Sequence, residues 1–435
     1  MVQMSPLELF TPDDPAADQA AFGTFLNRAR IEREQGNDSS ARIALGAYLG
    51  ARLVERRLTL GQASDEIEGF RWQFESTRKF LQELPSQEAE VSHLVGIAEA
   101  VDSDVSHRDA VLRMALVAYS YFLEHEGRLE EALETLQLSA RTYRNEFPAV
   151  DLATLSLFVA RLNRALARWE KANRAYQVAE QAGHEVRDLS TVMLARIGLG
   201  NVLRGQGNLA AARKILEEVI EQTNSPELHE VQGRSWSDLS VVLASQGFVL
   251  DSLMAKYRAL LSLRDELMRT RVLGDLGISL RELGAYDAAR QCFDMVVSAN
   301  PSFIIRANTC IEMMEMESAL GNRLAFERNR QEALTFADRM PPSMAIDYRY
   351  RVGIGFARFG KDARARATLR EALNLSEKYQ LNEWYFRVDR VVRNLELCED
   401  HVDLKTTAAE AIFIAPAVAE VSAGLRELAA AGAVS

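Results

Sequence analysis

The sequence predicts an all-α fold, a solenoid of about seven to eight helix-turn-helix repeats with N- and C-terminal capping helices. Three observations predict it. Glycine recurs at Gly127, Gly207, Gly247, Gly284, Gly321 and Gly360, with gaps of 40, 37, 37 and 39 from Gly207 onward, and Ala167 stands midway between the first two. Eight residues before each marker is an apolar residue: Tyr119, Val159, Leu199, Leu239, Leu276, Met313 and Val352. Five residues after the marker a small residue is common (Ala132, Ala172, Ala212, Ser252, Ala289, Ala365), and twelve after it another small or apolar one (Ala179, Val219, Ala259, Ala333, Ala372). A fixed period carrying helical apolar spacing, without the alternation of strands, is the mark of stacked repeats.

Each period reads as two short amphipathic helices joined by a glycine turn. Glycine suits the turn because it takes a positive φ at a helix C-terminus without a Cβ clash. Alanine suits the crossing, since helices approach closely only over small side chains. Pro148, Pro226, Pro301 and Pro341 follow the second helices, where a helix has to stop. Ser225 and Ser343, beside prolines, read as N-caps.

A compact chain of 435 residues splits into two or three domains, whereas a solenoid grows in one dimension. The apolar fraction of 48% and charged fraction of 26% are those of an ordinary soluble protein. A net charge of −11 disfavours a nucleic-acid partner, because phosphates attract clustered cations. The three cysteines, Cys292, Cys310 and Cys398, show no paired spacing and fit a reducing, cytoplasmic setting. No apolar window reaches the ~18 residues that span a bilayer, so no membrane partner is expected.

The residues at 195–222 carry Leu199, Gly200 and Asn201, then Gln206, Gly207, Asn208 and Leu209, then Ala212. Those at 276–301 carry Leu276, Gly277, Gly284, Ala285, Tyr286, Ala289, Phe293 and Pro301. In these residues the chain resembles the tetratricopeptide repeat (TPR) family, with seven units from about Arg113 to about Gln380. The units depart from the family in length, at 37 to 40 residues against the usual ~34. The resemblance implies a right-handed α-α superhelix whose first helices line a concave groove, and a non-catalytic scaffold that binds a peptide or protein segment there. The alternative it implies is a bacterial peptide-responsive regulator whose superhelix changes shape on binding.

The expected organisation is an N-terminal helical region with one divergent repeat (1–105), a repeat array (106–385) and C-terminal capping helices (386–435). Gln35, Gly36, Asn37, Ala41 and Tyr48 repeat the turn signature in the first region. Ile67, Phe70, Phe74, Thr77, Leu81 and Leu84 form a near-heptad stripe, which either packs on the first repeats or makes a homodimer seam. Val418, Val421, Leu425 and Leu428 form a stripe expected to cap the open end of the array.

Positions two and five residues either side of the apolar marker face the groove. They place Arg161, Arg164, Asn201, Arg204, Arg234, Asp238, Arg271 and Arg281 in one partner-binding strip. Guanidinium forks match carboxylates, which favours an acidic segment. Asparagine can hold a peptide backbone by donor and acceptor together, and the resemblance implies that role for Asn201. Asp238, Asp275, Glu312 and Glu315 stand ready to neutralise the arginines or to read basic partner groups. A basic patch, Arg351, Arg358, Arg364, Arg366 and Arg370, follows, with Arg387, Arg390 and Arg393 beyond it. The six histidines are scattered, and no catalytic, metal or cofactor motif is present.

Overall fold

The computed structural model describes residues 22–61, 63–102, 108–143, 147–397 and 415–431. The sequence also reads as helix starts at Ser5 and Thr11, each followed by proline, and as a small apolar cluster at 412–414; these, with His107, Cys398 and His401, lie outside the described residues. Twenty α-helices and no strand occur among the described residues, and no helix there is long and apolar enough to cross a membrane. The chain forms two compact units, Met1–Ile215 and Leu216–Ser435.

The first unit holds α1 (Gly23–Glu34), α2 (Asp38–Leu58), α3 (Ser64–Gln82), α4 (Ala89–Asp102), α5 (Arg108–His125), α6 (Leu129–Arg141), α7 (Ala149–Ala165), α8 (Trp169–Glu185), α9 (Leu189–Gly205) and the start of α10 (Leu209–Gln222). The second holds the rest of α10, then α11 (His229–Ser245), α12 (Val249–Ser262), α13 (Glu266–Glu282), α14 (Tyr286–Ser298), α15 (Phe303–Ala319), α16 (Arg323–Leu334), α17 (Pro342–Arg358), α18 (Asp362–Lys378), α19 (Asn382–Leu397) and α20 (Pro416–Ala430).

The glycine markers are the hinges of helix hairpins. Gly36, Gly127, Gly207, Gly247, Gly284, Gly321 and Gly360 all have φ between 69° and 85°, and Ala167 has φ 55° in the same place. At each marker the following amide donates back to the carbonyl five residues earlier. Examples are Asn208 N to Leu203 O at 2.9 Å and Lys361 N to Phe356 O at 2.8 Å. This is the Schellman closure, and it satisfies carbonyls that the helix end leaves open. Ala167 does the same with a Cβ in the left-handed region, Arg168 N reaching Asn163 O at 2.8 Å. Between hairpins, Asp188 and Asp265 cap the next helices through their side chains, and inside the α15/α16 turn Asn322 does the same for α16. Ser225 and Ser343 do not: Ser225 makes no cap bond, and α17 opens on Pro342, with Ser343 already inside it.

Packing follows the sequence register. Five of the residues that stand five after a marker, Ala132, Ala172, Ala212, Ala289 and Ala365, are wholly buried, as are Ala179, Val219, Ala259, Ala333 and Ala372, twelve after theirs. Among the apolar residues eight before the marker, Leu199 is the exception, being only half-buried. Its neighbour Gly198 faces Tyr176 instead: a Cβ there would lie 2.1 Å from the ring, so the ring occupies the helix contact and Leu199 sits at the rim. A similar exchange occurs at α16. Phe326 replaces the small residue five after Gly321, and Gly355 on α17 makes room, since a Cβ there would lie 2.3 Å from the ring.

The N-terminal hairpin is divergent for a visible reason. The position eight before Gly36 is Arg28, whose Nη2 donates to Glu90 at 2.8 Å and whose Nε donates to Glu131 at 2.8 Å. Arg128 and the Tyr119 hydroxyl also donate to Glu90, at 2.8 and 2.7 Å. Burial raises the Glu90 carboxyl, but the two guanidiniums and the hydroxyl overcome it and hold the group below its usual range. Phe74, Thr77, Leu81 and Leu84 of the heptad stripe are buried inside this unit, on the core shared with α2 and α4.

One end differs from the expectation. Residue 386 falls within α19, which stacks on α17 and α18, while α20 lies against α12 and α14 in place of capping the array. Its apolar stripe matches the core left open there, with Val418, Val421 and Leu425 buried beside Leu253, Leu260 and Phe293.

The turn geometry gives a paired expectation. Gly207→Ala, with open space around the new Cβ, should cost about 1 kcal/mol through backbone strain alone, whereas Ala167→Gly should gain about 0.5 kcal/mol. Urea unfolding of the two variants reads the opposite signs. A second expectation concerns pH. Burial pushes the Glu134 carboxyl up to about 7, against the Thr24 hydroxyl that donates to it from α1. A folded value above 4.5 means that stability falls as pH rises from about 4.5 through 7. Glu134→Gln should therefore raise the melting temperature at pH 8 and change it little at pH 4.5.

Candidate functional site

Five of the arginines named from the sequence converge in the second unit. Arg281 on α13 and Arg351 and Arg358 on α17 line a cavity of about 320 Å³, together with Glu315 of α15 and Arg387 and Arg390 of α19. All four helices are the first helices of their hairpins, or stand in that place. The cavity wall between the charges is apolar, made by Tyr350, Ile354, Ala357, Val391 and Leu395.

The charges are fixed by a layer of carboxylates. Glu312, 4% exposed on α15, accepts from Arg351 Nη1 and Nη2 at 3.2 and 2.9 Å, and its Oε2 lies 3.1 Å from Arg281 Nε. Arg351 Nε also donates to Asp347 Oδ1 at 2.9 Å. Burial pushes the Glu312 carboxyl up in spite of the two guanidiniums. Arg351 moves further from deprotonation: desolvation acts against its charge, but Glu312, Asp347 and Glu315 outweigh it. Arg358 is held by Glu315 Oε1 at 2.9 Å and by the Ser318 hydroxyl at 2.6 Å. Arg387 instead lies over the rings of Tyr350 and Trp384, 5.1 Å from each centroid. Five guanidiniums meet two carboxylates, Glu282 and Glu315, in the lining itself. Cations still outnumber anions when Glu312 and Asp347 behind them are included, so the opening favours an anionic group flanked by apolar surface.

The remaining sequence-singled residues lie elsewhere. In the first unit, Arg161 on α7 grips Glu124 with two bonds of 2.6 and 2.7 Å and lies over the Phe158 ring. Arg164 shares that face of α7. Asn201 on α9 is buried at 7% exposure, and Arg204 one turn on is half-buried. In the second unit, Arg234 pairs with Glu230 on its own helix at 3.4 Å, Asp238 lies one turn further along α11, and Arg271 is exposed on α13. Arg364, Arg366 and Arg370 stand on α18, outside the lining of the Arg281 cavity.

Sequence reasoning named Glu312 and Glu315 as neutralising groups, and both do this. It treated Arg281 and the Arg351 patch as separate features, though they share a wall. The available signal was the period: Arg281 and Arg358 stand three and two residues before their markers, so both end a first helix. The aromatic seat of Arg387 gave no periodic signal. Among the described residues no group of His, Cys, Asp and Glu is arranged to hold a metal ion. Cys292 and Cys310 are buried free thiols, and burial pushes both up.

No family model and no curated protein sequence matches the chain. Among solved structures, it is similar to a Rap protein complexed with competence and sporulation factor, at 10% identity over 82% of this chain and 98% of that one, TM-score 0.42. It is also similar to the quorum sensor NprR from B. thuringiensis in its apo form (11%, 88% and 99%, TM-score 0.39). A third is the APC/C hetero-tetramer Cut9-Hcn1 (12%, 93% and 76%, TM-score 0.39).

The carboxylate layer sets the expected effect of mutation. Glu312→Ala leaves two buried guanidiniums without their shared partner and should cost ~3–5 kcal/mol. Arg364→Ala, on an exposed face, should cost less than ~0.5 kcal/mol. Thermal unfolding of the two variants side by side checks the contrast.

Proposed function

We propose that the chain is a non-catalytic binding scaffold that captures an acidic peptide or protein segment on the first-helix face of its second unit. The observation that carries the reading is the cavity between α13, α15, α17 and α19. There Arg281 and Arg351 are held in place from behind by the buried Glu312, Arg358 is held by Glu315 in the lining, and Arg387 and Arg390 stand beside apolar walls. Holding a guanidinium in position before binding removes much of the ordering cost that a flexible arginine bears on meeting a carboxylate. An acidic side chain or a chain-terminal carboxylate would sit between Arg358 and Arg387, with a neighbouring apolar side chain against Ile354 and Val391. On the first unit, Arg161, Arg164, Asn201 and Arg204 form a second polar strip on α7 and α9, which the same reading assigns to a partner backbone. Arg234, Asp238 and Arg271 extend the strip assigned to the second unit. Arg364, Arg366 and Arg370 have no part in it. The buried free thiols fit a reducing, cytoplasmic setting.

Selection from a random peptide display library tests this. Recovered sequences should carry an Asp, a Glu or a free C-terminus next to an apolar residue. Arg387→Glu/Arg390→Glu should weaken them at least tenfold, and binding should weaken as salt rises. Binders without an acidic group, or binders that the double variant retains at equal affinity, would refute the reading.

A further inference from the structure

We propose that the face formed by α12 and α14 is a recognition site for an amphipathic helix, and that α20 is its tethered, displaceable occupant. This site is separate from the arginine cavity. It lies on second helices, whereas the cavity lies between first helices.

The contact is specific. Val418, Val421 and Leu425, spaced three and four residues apart, enter the core made by Leu253, Leu260 and Phe293. Gly424 lies directly against Tyr257 of α12: a Cβ there would fall 1.7 Å from the hydroxyl oxygen, so only a glycine lets the ring pass. Gln291 Nε2 of α14 donates to the Leu425 carbonyl at 3.1 Å. Burial pushes the Tyr257 hydroxyl up, and Glu427 and Glu420, either side of Gly424, push it further. Spaced apolar anchors on one helix, set into a groove with a small residue at the closest approach, are how a helix-in-groove site reads its ligand.

The contact is also separable. α20 has three buried residues, Val418, Val421 and Leu425, as few as α3 and α16, and unlike a hairpin helix it packs on helices distant in sequence. Helices with few anchors populate the open state more. The hairpins of α12 and α14 are closed by their own turns and small residues, Ser252, Ala259 and Ala289, without help from α20. At the far end of α20, Leu428 lines a cleft of about 810 Å³ together with His229, Leu263 and Asn300.

The test uses the full chain and a fluorescein-labelled synthetic peptide of residues 415–431. Gly424→Leu in the chain should evict α20 in cis. The variant should then bind the wild-type peptide saturably, at least tenfold more tightly than the wild-type chain, whose site is filled. A peptide carrying Leu425→Asp should not bind. Hydrogen exchange should speed up in α20 and in the facing turns of α12 and α14 alone. Val421→Asp in the chain serves as the second evicting variant. A folded variant that fails to take up the peptide overturns the proposal. Loss of folding in both variants overturns it too, because α20 would then be integral core. A concentration-dependent dimer of the wild-type chain, with α20 exchanged between copies, overturns the cis assignment.

Discussion

Two helices can lie side by side after a two- or three-residue turn only if the backbone at that turn goes left-handed. Every hairpin described here obeys this constraint at the same place. The residue with positive φ releases the chain from the first helix, and the amide after it returns to the carbonyl five residues back. That closure sets the start of the second helix to within a residue. It thereby fixes which positions meet at the crossing, where small or aliphatic side chains fill the fifth and twelfth residues except at Phe326, which Gly355 accommodates. The arginine cavity inherits its geometry from the same source. Arg281 and Arg358 lie three and two residues ahead of their turn glycines, at the last turn of a first helix, where α13, α15, α17 and α19 come side by side.

Electrostatics builds on that frame in two different ways. In the first unit, Glu90 accepts from Arg28, Arg128 and Tyr119 in the interior, and the cluster substitutes for apolar packing that Arg28 cannot supply. Such a network stabilises only while complete, since removing one charge leaves the others desolvated. In the second unit, Glu312 and Glu315 do similar work at a cavity wall, where one side of each guanidinium remains turned to the opening. The first arrangement lies in the interior, and the second lines an open cavity.

Much of this was legible in the sequence, because it repeats. The turn glycines, Ala167 in their place and the buried alanines are fixed by local backbone geometry, which recurs with the period. The internal glycines Gly198 and Gly355 were legible as sites of close packing, though not the rings they admit. Leu199 looked like a core residue because its register is correct, and only the Tyr176 ring across the crossing moves it to the rim. The positive φ at Arg187, Asn300 and Gln380, between hairpins, carries no glycine to announce it. The site was half legible: its arginines and acids follow the repeat, but the stacking of Arg387 on Tyr350 and Trp384 does not. The seat of α20 on α12 and α14 had no local signature, since its partners lie more than a hundred residues away.

The accommodation of Phe326 by Gly355 has a consequence for the history of the chain. A period of nearly constant length invites the view that units can be shuffled, duplicated or lost like beads. Here the bulky ring belongs to one bead and its notch to the next, so deleting α15 and α16 would leave a hollow and copying them would bring a ring against a neighbour with no notch. The join between these two units is inherited as a matched pair, and any lineage that changes one half must change the other in step.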